Sequence, residues 1–152
     1  MARLVLLLSL FLGSTYAVCK TGSLTAAEQA VLDKHNALRA LHEGTSDLCY
    51  GESGSDVTFT SQSWADSMAA NKAMEHSSGG SYGENLAMAG TSGAVATIIP
   101  AFEGSTQAWY NEIEDWDFDT SKSTGGVTGH FTQVCGRESC YGNPFILVTF
   151  DL

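Results

Sequence analysis

Basic residues are scarce in this chain. Its 152 residues include 7 Lys and Arg against 17 Asp and Glu, which gives a formal net charge of −10. Proteins that bind nucleic acids or anionic membranes do so largely through Lys and Arg contacts to phosphate groups. The charge balance therefore argues against nucleic acid as a partner. The acidic excess is consistent with cation binding or with a simple contribution to solubility.

Long apolar runs are also missing, except for one at the beginning of the chain. The run from Leu4 to Leu12 follows Arg3 and precedes small residues that end at Ala17. This order is typical of a secretory signal peptide cleaved after Ala17, and the run is too short for a transmembrane helix. We therefore expect a signal peptide over residues 1–17, no transmembrane segment, and a secreted extracellular domain over 18–152. Cleavage removes Arg3 and no acid, so the formal net charge becomes −11.

Two common extracellular or metal-binding signatures are absent. No Asn-x-Ser/Thr acceptor occurs, so N-glycosylation is not expected, and no His-Glu-x-x-His zinc helix occurs. The four cysteines match no Cys-rich zinc spacing. In an oxidising compartment an even number of cysteines indicates disulfides, for which three connectivities are possible. We expect neighbours along the chain to pair, as Cys19–Cys49 and Cys135–Cys140.

The first helix is predicted from its beginning. Thr25 and Glu28 have the spacing of a capping box, in which each side chain accepts a hydrogen bond from the other residue's backbone. Apolar residues then recur at helical spacing, which predicts a helix from Ala26 to about His42. We expect His35, inside this helix, to be a hydrogen-bonded scaffold residue and not a ligand.

Two more helices and two strands are predicted further along. A second helix is expected from Ser61 or Ser63 towards Glu75. A short apolar segment ends at Pro100, and the periodicity predicts a third helix from about Phe102. The clearest strand candidates are 131–134 and 145–150.

Four motifs carry most of the functional information. They are His76-Ser77-Ser78, Tyr82-Gly83-Glu84-Asn85-Leu86, Trp109-Tyr110-Asn111-Glu112 and Gly129-His130-Phe131-Thr132-Gln133-Val134. In this order within one short domain, they resemble the CAP superfamily of cysteine-rich secretory, antigen 5 and pathogenesis-related proteins, also called SCP domains. The resemblance runs from about Leu24 to Val134. It implies an α+β fold, a three-layer α-β-α sandwich in which helices flank a small sheet.

The resemblance also implies a site. In that family two histidines and two glutamates surround one open cleft, and here they correspond to His76, Glu84, Glu112 and His130. Imidazole nitrogens and carboxylate oxygens are common ligands of Zn²⁺ and other divalent cations. We expect Zn²⁺ or another divalent cation as an optional cofactor, with the two histidines as its main ligands. The two glutamates could instead orient the imidazoles.

Three functions remain open at this point. The resemblance favours a binding module for a small apolar ligand, such as a lipid or sterol, or for an extracellular protein. A metal-dependent ester or peptide hydrolase is the alternative, although Ser77 and Ser78, which lie beside His76, do not make a convincing nucleophile. A third possibility is that the four residues form a purely structural hydrogen-bonded network.

The resemblance fails after Val134. The family normally continues its strand with an aliphatic residue and a Trp, whereas here Val134 runs directly into Cys135-Gly136. This predicts an internal deletion that removes part of a central strand and would leave backbone donors unpaired. Two outcomes are compatible with it: a shortened, weakened or non-functional isoform, or a sheet in which the remaining strands pair in a compensating way.

Overall fold

A computed structural model describes residues 6–11, 23–50, 56–78, 83–88, 95–136 and 145–150. The predicted cleavage position, Cys19 and Cys140 lie outside these ranges. The helices are α1 (Ala26–Arg39), α2 (Asp56–Asn71), α3 (Val95–Asn111) and α4 (Gly129–Cys135), with a 3-10 helix over Glu112–Asp115 directly after α3. The strands are β1 (Leu6–Phe11), β2 (Cys49–Tyr50), β3 (Gly83–Met88), β4 (Trp116–Asp117), β5 (Lys122–Ser123) and β6 (Phe145–Phe150).

Helix α1 begins at the predicted cap. The Thr25 amide donates to Glu28 Oε2 (2.6 Å), and the Glu28 amide donates to Thr25 Oγ1 (3.2 Å), so the capping box is complete. The helix ends at Arg39, three residues before the predicted end. The His42 amide donates to the Arg39 carbonyl at 2.9 Å, a three-residue spacing that tightens the chain after the helix.

Helices α2 and α3 begin earlier than predicted. Helix α2 starts at Asp56, so the predicted caps at Ser61 and Ser63 are wrong, and it ends just before Lys72, which has a positive φ of 53°. Helix α3 starts at Val95 and includes Pro100. The predicted start lay after Pro100 because proline lacks an N–H and usually interrupts a helix. In the structure α3 continues through Pro100, which has no N–H to donate.

The strand predicted over 131–134 is wrong, since these residues lie in α4. The reason is a tertiary contact: the Glu112 carboxylate accepts the backbone N–H groups of His130 (3.0 Å) and Phe131 (3.2 Å). The first N–H groups of a helix have no acceptor within the helix. Here the Glu112 carboxylate is the acceptor for two of them. The strand predicted over 145–150 is confirmed as β6.

The main sheet has the strand order β2-β1-β6-β3. Strand β1 is antiparallel to both neighbours, with Leu6 opposite Thr149 and Leu10 opposite Phe145, whereas β3 runs parallel to β6. Strand β1 lies inside the predicted signal peptide. Residues of the predicted signal peptide thus pair with β6. The pairing does not decide between the two outcomes expected for the segment after Val134, because cleavage after Ala17 would remove β1. Strands β4 and β5 form a separate antiparallel pair.

Helices cover the sheet in two groups. Helix α2 packs against β1 and β6, while α1, α3 and α4 pack with one another and α4 also contacts β3. A core cluster joins the second group and Leu48, the residue before β2: Val31, Leu32, Leu38, Leu48, Phe102, Trp109, Phe131, Val134 and Cys135. The α+β class predicted from the resemblance is confirmed. Within the described ranges, none of the helices has the length and apolarity needed to cross a bilayer.

The cysteines depart from the expected pairing. Cys135 is a free, buried thiol, so the predicted Cys135–Cys140 disulfide is not formed. Its side chain lies in the core because α4 extends through this residue, and burial raises the pKa of the thiol to about 12. Cys49 is disulfide-bonded, but its partner lies outside the described residues. The Cys19–Cys49 pairing therefore stays a prediction.

The pairing of β1 with β6 predicts that residues 6–11 stabilise the sheet. We expect the full chain, produced without export and refolded, to unfold at a higher temperature than the 18–152 chain, because β6 then pairs on both sides. Alternate residues of an antiparallel strand donate to the same neighbour, so the double variant Leu7→Pro, Leu8→Pro removes at least one donor to β6. Thermal unfolding should place this variant close to the 18–152 chain. Identical melts for all three proteins would contradict the pairing.

The burial of His35 gives a test by pH. This side chain is fully buried, its Nδ1 lies 2.9 Å from the Val31 carbonyl, and burial lowers its pKa from 6.5 to about 4. Between these values the unfolded chain binds a proton that the folded chain does not. The free energy of unfolding should therefore fall as the pH drops from about 6.5 to 4, by up to roughly 3 kcal/mol from this residue.

Urea unfolding across that pH range, for wild type and His35→Gln, measures this contribution. The carboxylates titrate in both proteins, so the difference between the two curves isolates His35. We expect a flatter curve for His35→Gln. Parallel curves would show that His35 is protonated equally in the folded and unfolded states.

Candidate functional site

The first predicted pair, His76 and Glu84, is formed. His76 lies just after α2 and its Nδ1 donates to Glu84 Oε1, on β3, at 2.6 Å. Ser77 adds two more donors to the same carboxylate, from its amide (2.9 Å) and its hydroxyl (2.6 Å). The Glu84 side chain is 9% exposed and that of His76 is 62% exposed. A nearly buried, fully hydrogen-bonded carboxylate thus holds an imidazole that faces solvent.

The second predicted pair, His130 and Glu112, repeats this arrangement. His130 Nδ1 donates to Glu112 Oε1 at 2.6 Å, and Glu112 Oε2 accepts the two backbone N–H groups at the beginning of α4. Both side chains are partly buried, with 28% of His130 and 18% of Glu112 exposed. Negative charge at the beginning of a helix is also favoured by the helix dipole. Glu112 therefore fixes the imidazole and the helix that carries it.

The two pairs impose the same tautomer on their histidines. An ionised carboxylate only accepts hydrogen bonds, so Nδ1 of each imidazole carries a proton, and in the neutral ring Nε2 carries the lone pair. Within the described part of the chain, no hydrogen bond involves Nε2 of His76 or His130. A carboxylate on one ring nitrogen that leaves the other free is the usual arrangement of a metal-binding histidine.

Two further residues support His130, and the sequence interpretation missed their roles. The indole ring of Trp109, on α3, stacks on the His130 ring with centroids 6.1 Å apart and planes inclined by 22°. Asn85, on β3, donates from Nδ2 to the His130 carbonyl at 3.1 Å. Both stand in the motifs that carry the glutamates: Asn85 follows Glu84, and Trp109 precedes Glu112 by three residues. That adjacency was the available signal.

The residue after His130 fixes α4 from its other side. The Phe131 ring contacts four aromatic rings at centroid distances of 5.8 to 6.1 Å, those of His42, Tyr110, Trp116 and Phe118. Phe131 itself is 3% exposed. Removing the ring would open a cavity in this cluster, so its packing opposes any shift of α4.

The four predicted residues form two pairs and not one four-ligand cluster. Within the described ranges, no group of three or more His, Cys, Asp or Glu residues is arranged to hold a metal ion. The reason is that both glutamates already accept hydrogen bonds from their histidines and from neighbouring backbone. Of the two predicted roles for Glu84 and Glu112, orienting the imidazoles is the one that these contacts support.

A serine nucleophile finds little support. The Ser77 hydroxyl donates to Glu84 and not to an imidazole, so no described contact activates it. Residues 79–83 read Gly-Gly-Ser-Tyr-Gly, a Gly-x-Ser-x-Gly pattern that the sequence interpretation overlooked. In a nucleophile elbow this pattern lies between a strand and a following helix, whereas here α2 comes before it and β3 begins at Gly83. The elements stand in the wrong order for that motif.

The contacts of Glu112 predict a loss of stability on its removal. Glu112→Ala leaves the first N–H groups of α4 and the His130 imidazole without their acceptor. Hydrogen bonds to charged groups contribute more than neutral ones, so we expect the free energy of unfolding to fall by about 2 kcal/mol. Chemical denaturation measures this. Glu114→Ala is the matched control, because Glu114 is an exposed acid in the same 3-10 helix. Equal effects of the two substitutions would contradict the capping role.

Comparisons with known proteins match these residues to one family. A family model described as cysteine-rich secretory protein family (CAP) matches residues 32–142. Protein PRY2 of Saccharomyces cerevisiae is 36% identical over 74% of this chain and 32% of its own length. Secreted protein RBT4 of Candida albicans is 37% identical over 76% of this chain and 28% of its own.

A plant relative shows similar agreement. Pathogenesis-related protein 1A of Nicotiana tabacum is 36% identical over 74% of this chain and 61% of its own length. The chain thus spans between about a quarter and three fifths of the length of these relatives. None of the solved structures matches it significantly. Since the family model covers most of the chain, and includes both His–Glu pairs, the chain belongs to the cysteine-rich secretory protein (CAP) family.

Proposed function

We propose that this chain is a secreted CAP-domain binding protein whose two His–Glu pairs form an open divalent-cation site. The observation that carries the proposal is the shared hydrogen-bonding pattern of the pairs. In each, a carboxylate binds Nδ1 of the imidazole at 2.6 Å and leaves Nε2 available. In its neutral form, each imidazole would therefore present Nε2 to an ion.

The residues present fit zinc better than calcium or magnesium. Imidazole nitrogen is a common zinc ligand, whereas calcium and magnesium prefer oxygen ligands, and both carboxylates here are already engaged. His76 and His130 would hold the ion. When bound, the cation would supply a Lewis-acidic centre with coordination positions open to water or to a ligand. Glu84 and Glu112 would keep the two rings oriented.

Export from the cell is part of the proposal. It is supported by the predicted signal peptide over residues 1–17 and by the printed name of one relative, Secreted protein RBT4. The disulfide-bonded state of Cys49 is in keeping with an oxidising compartment.

The proposed partner is a small apolar ligand, such as a lipid or sterol, or an extracellular protein. Exposed methionines support apolar contacts: Met74, 47% exposed, lies two residues before His76, and Met88, 50% exposed, lies at the other end of β3, four residues after Glu84. Methionine is flexible and polarisable, so it adapts to apolar partners of varied shape. The acidic net charge disfavours anionic ones.

The hydrolase and the purely structural alternatives predict different behaviour. A hydrolase needs turnover of an ester or peptide, for which the described contacts of Ser77 provide no activated nucleophile. A structural network needs only the stabilising contacts of the carboxylates, which Glu112 does make at α4. Structural support and cation binding are compatible, because the carboxylates serve the first and the Nε2 atoms serve the second.

Zinc titration tests the proposal, and the chain contains its own control histidine. Isothermal titration calorimetry on the exported protein should detect one zinc ion bound by wild type. Each of His76→Ala and His130→Ala should weaken binding by at least about 10-fold, the size of loss typical even for a supporting residue of a metal site. His42→Gln should bind zinc like wild type, because His42 Nε2 is already bonded to the Tyr110 hydroxyl at 3.0 Å.

Two results would contradict this assignment. Zinc binding that survives both alanine substitutions would place the ion elsewhere, and no binding by folded wild type would leave the pairs as scaffold. Parallel assays with ester and peptide substrates, with and without zinc, address the hydrolase alternative. Turnover abolished by Glu84→Ala would favour the enzyme over the binding module.

A further inference from the structure

Three consecutive residues of β3 connect to both His–Glu pairs. Glu84 binds His76, Asn85 donates to the His130 carbonyl, and the Leu86 carbonyl accepts a hydrogen bond from Trp109 Nε1 at 3.2 Å. Trp109 in turn stacks on His130. One short strand segment therefore reaches the first imidazole directly and the second through two separate contacts.

Asn85 combines complete burial with incomplete hydrogen bonding. It is 0% exposed, and its Oδ1 has no hydrogen-bond partner in the described part of the structure. A buried polar atom without a partner lowers stability, and such atoms in native proteins call for an explanation. The only described hydrogen bond of its side chain goes from Nδ2 to the His130 carbonyl. The hydrogen bond to the His130 carbonyl is therefore the stabilising contact that an amide makes at this position.

The Trp109 side chain contacts β3 through its N–H and His130 through its ring. It is 4% exposed, its N–H is bonded to β3, and its ring face covers the His130 imidazole. The hydrogen bond sets the rotation of the indole, and the stacked ring restricts the tilt of the imidazole. A leucine or phenylalanine could fill the core here, but neither can donate to the Leu86 carbonyl.

We propose that Asn85 and Trp109 are positioning residues that set His130 relative to His76, with β3 as the common reference. This inference rests on the proposed function, in which one cation binds both imidazoles. Glu112 fixes the tautomer of His130, but it belongs to the 3-10 helix and has no described contact with β3. Asn85 and Trp109 are the described side chains that join His130 to the strand carrying Glu84. Two ligands share one ion only if their separation is held, which is what these contacts do.

The test uses two substitutions that keep side-chain volume approximately constant. Asn85→Leu removes the donor to His130 without leaving a cavity, and Trp109→Phe keeps an aromatic face but removes the N–H. Asn71→Leu is the matched control, since Asn71 is exposed at the end of α2 and bonds only to Ser67. Zinc affinity is measured by calorimetry. The position of the His130 ring is measured on the zinc-free proteins by nuclear Overhauser effects (NOEs) between its protons and the ring protons of residue 109. Imidazole tautomers are measured by long-range ¹H–¹⁵N NMR at pH 8.

We expect both variants to unfold cooperatively and to bind zinc at least about 10-fold more weakly than wild type, while Asn71→Leu binds normally. In the zinc-free spectra, His76 and His130 should keep the Nδ1–H tautomer in every protein, because Glu84 and Glu112 are unchanged. The NOEs between His130 and residue 109 should weaken in the two variants and stay as in wild type in Asn71→Leu. A role limited to core stability would lower the melting temperature without changing these NOEs.

Unchanged zinc affinity together with unchanged His130 NOEs in the folded variants overturns the inference. If wild type binds no zinc, the proposed function fails, but the zinc-free spectra still decide the positioning role. Weakened NOEs between His130 and residue 109 then support it and unchanged ones refute it. If Asn85→Leu does not fold, Trp109→Phe carries the same decision.

Discussion

The Glu112 carboxylate makes the contacts on which the second half of the domain depends. One oxygen binds the His130 imidazole and the other binds two backbone N–H groups of α4. A helix of seven residues is not stable by itself, because the first turn is entropically costly to form. The segment 131–134 is rich in aromatic and β-branched residues, which favour strands. The fixed negative charge at its beginning, together with packing of Phe131, stabilises a helix there instead.

The two pairs share their chemistry and differ in their surroundings. His76 is largely exposed and attached to the domain through Glu84, whereas His130 is stacked on Trp109 and bonded at its backbone to Asn85. The His130 ring is therefore held by a carboxylate and by packing, whereas the His76 ring is held by its carboxylate and faces solvent.

The pairing of β1 bears on the predicted signal peptide. Strand β1 lies between β2 and β6, so cleavage after Ala17 would remove the central antiparallel strand of the described sheet. The His–Glu pairs take no residue from β1: they lie after α2, on β3, on the 3-10 helix and on α4. Strand β3 pairs with β6 and not with β1. Removal of β1 would therefore act on the sheet first, and on the site only through β6.

Features that depend on neighbours in sequence could be predicted from the sequence. The capping box at Thr25, the helix that follows and the strand over 145–150 all follow from short-range spacing and alternation. The identity of the four site residues came from motifs, and the structure joins them in two pairs. The sequence left two possible roles for each glutamate, as a cation ligand or as the residue that orients the imidazole. Spacing along the chain does not show which carboxylate oxygens already accept hydrogen bonds.

The tertiary structure decided the features that depend on residues far apart in the chain. The helical state of 131–134 depends on a carboxylate about 18 residues earlier, and the support of His130 by Asn85 spans 45 residues. Cys135 is a free thiol buried in the core formed by α1, α3 and α4. The sequence by itself determined which side chains carry the chemistry, because imidazole and carboxylate groups have that chemistry in any fold. Only the tertiary structure decided their hydrogen-bond partners, because pairing depends on distances that folding sets.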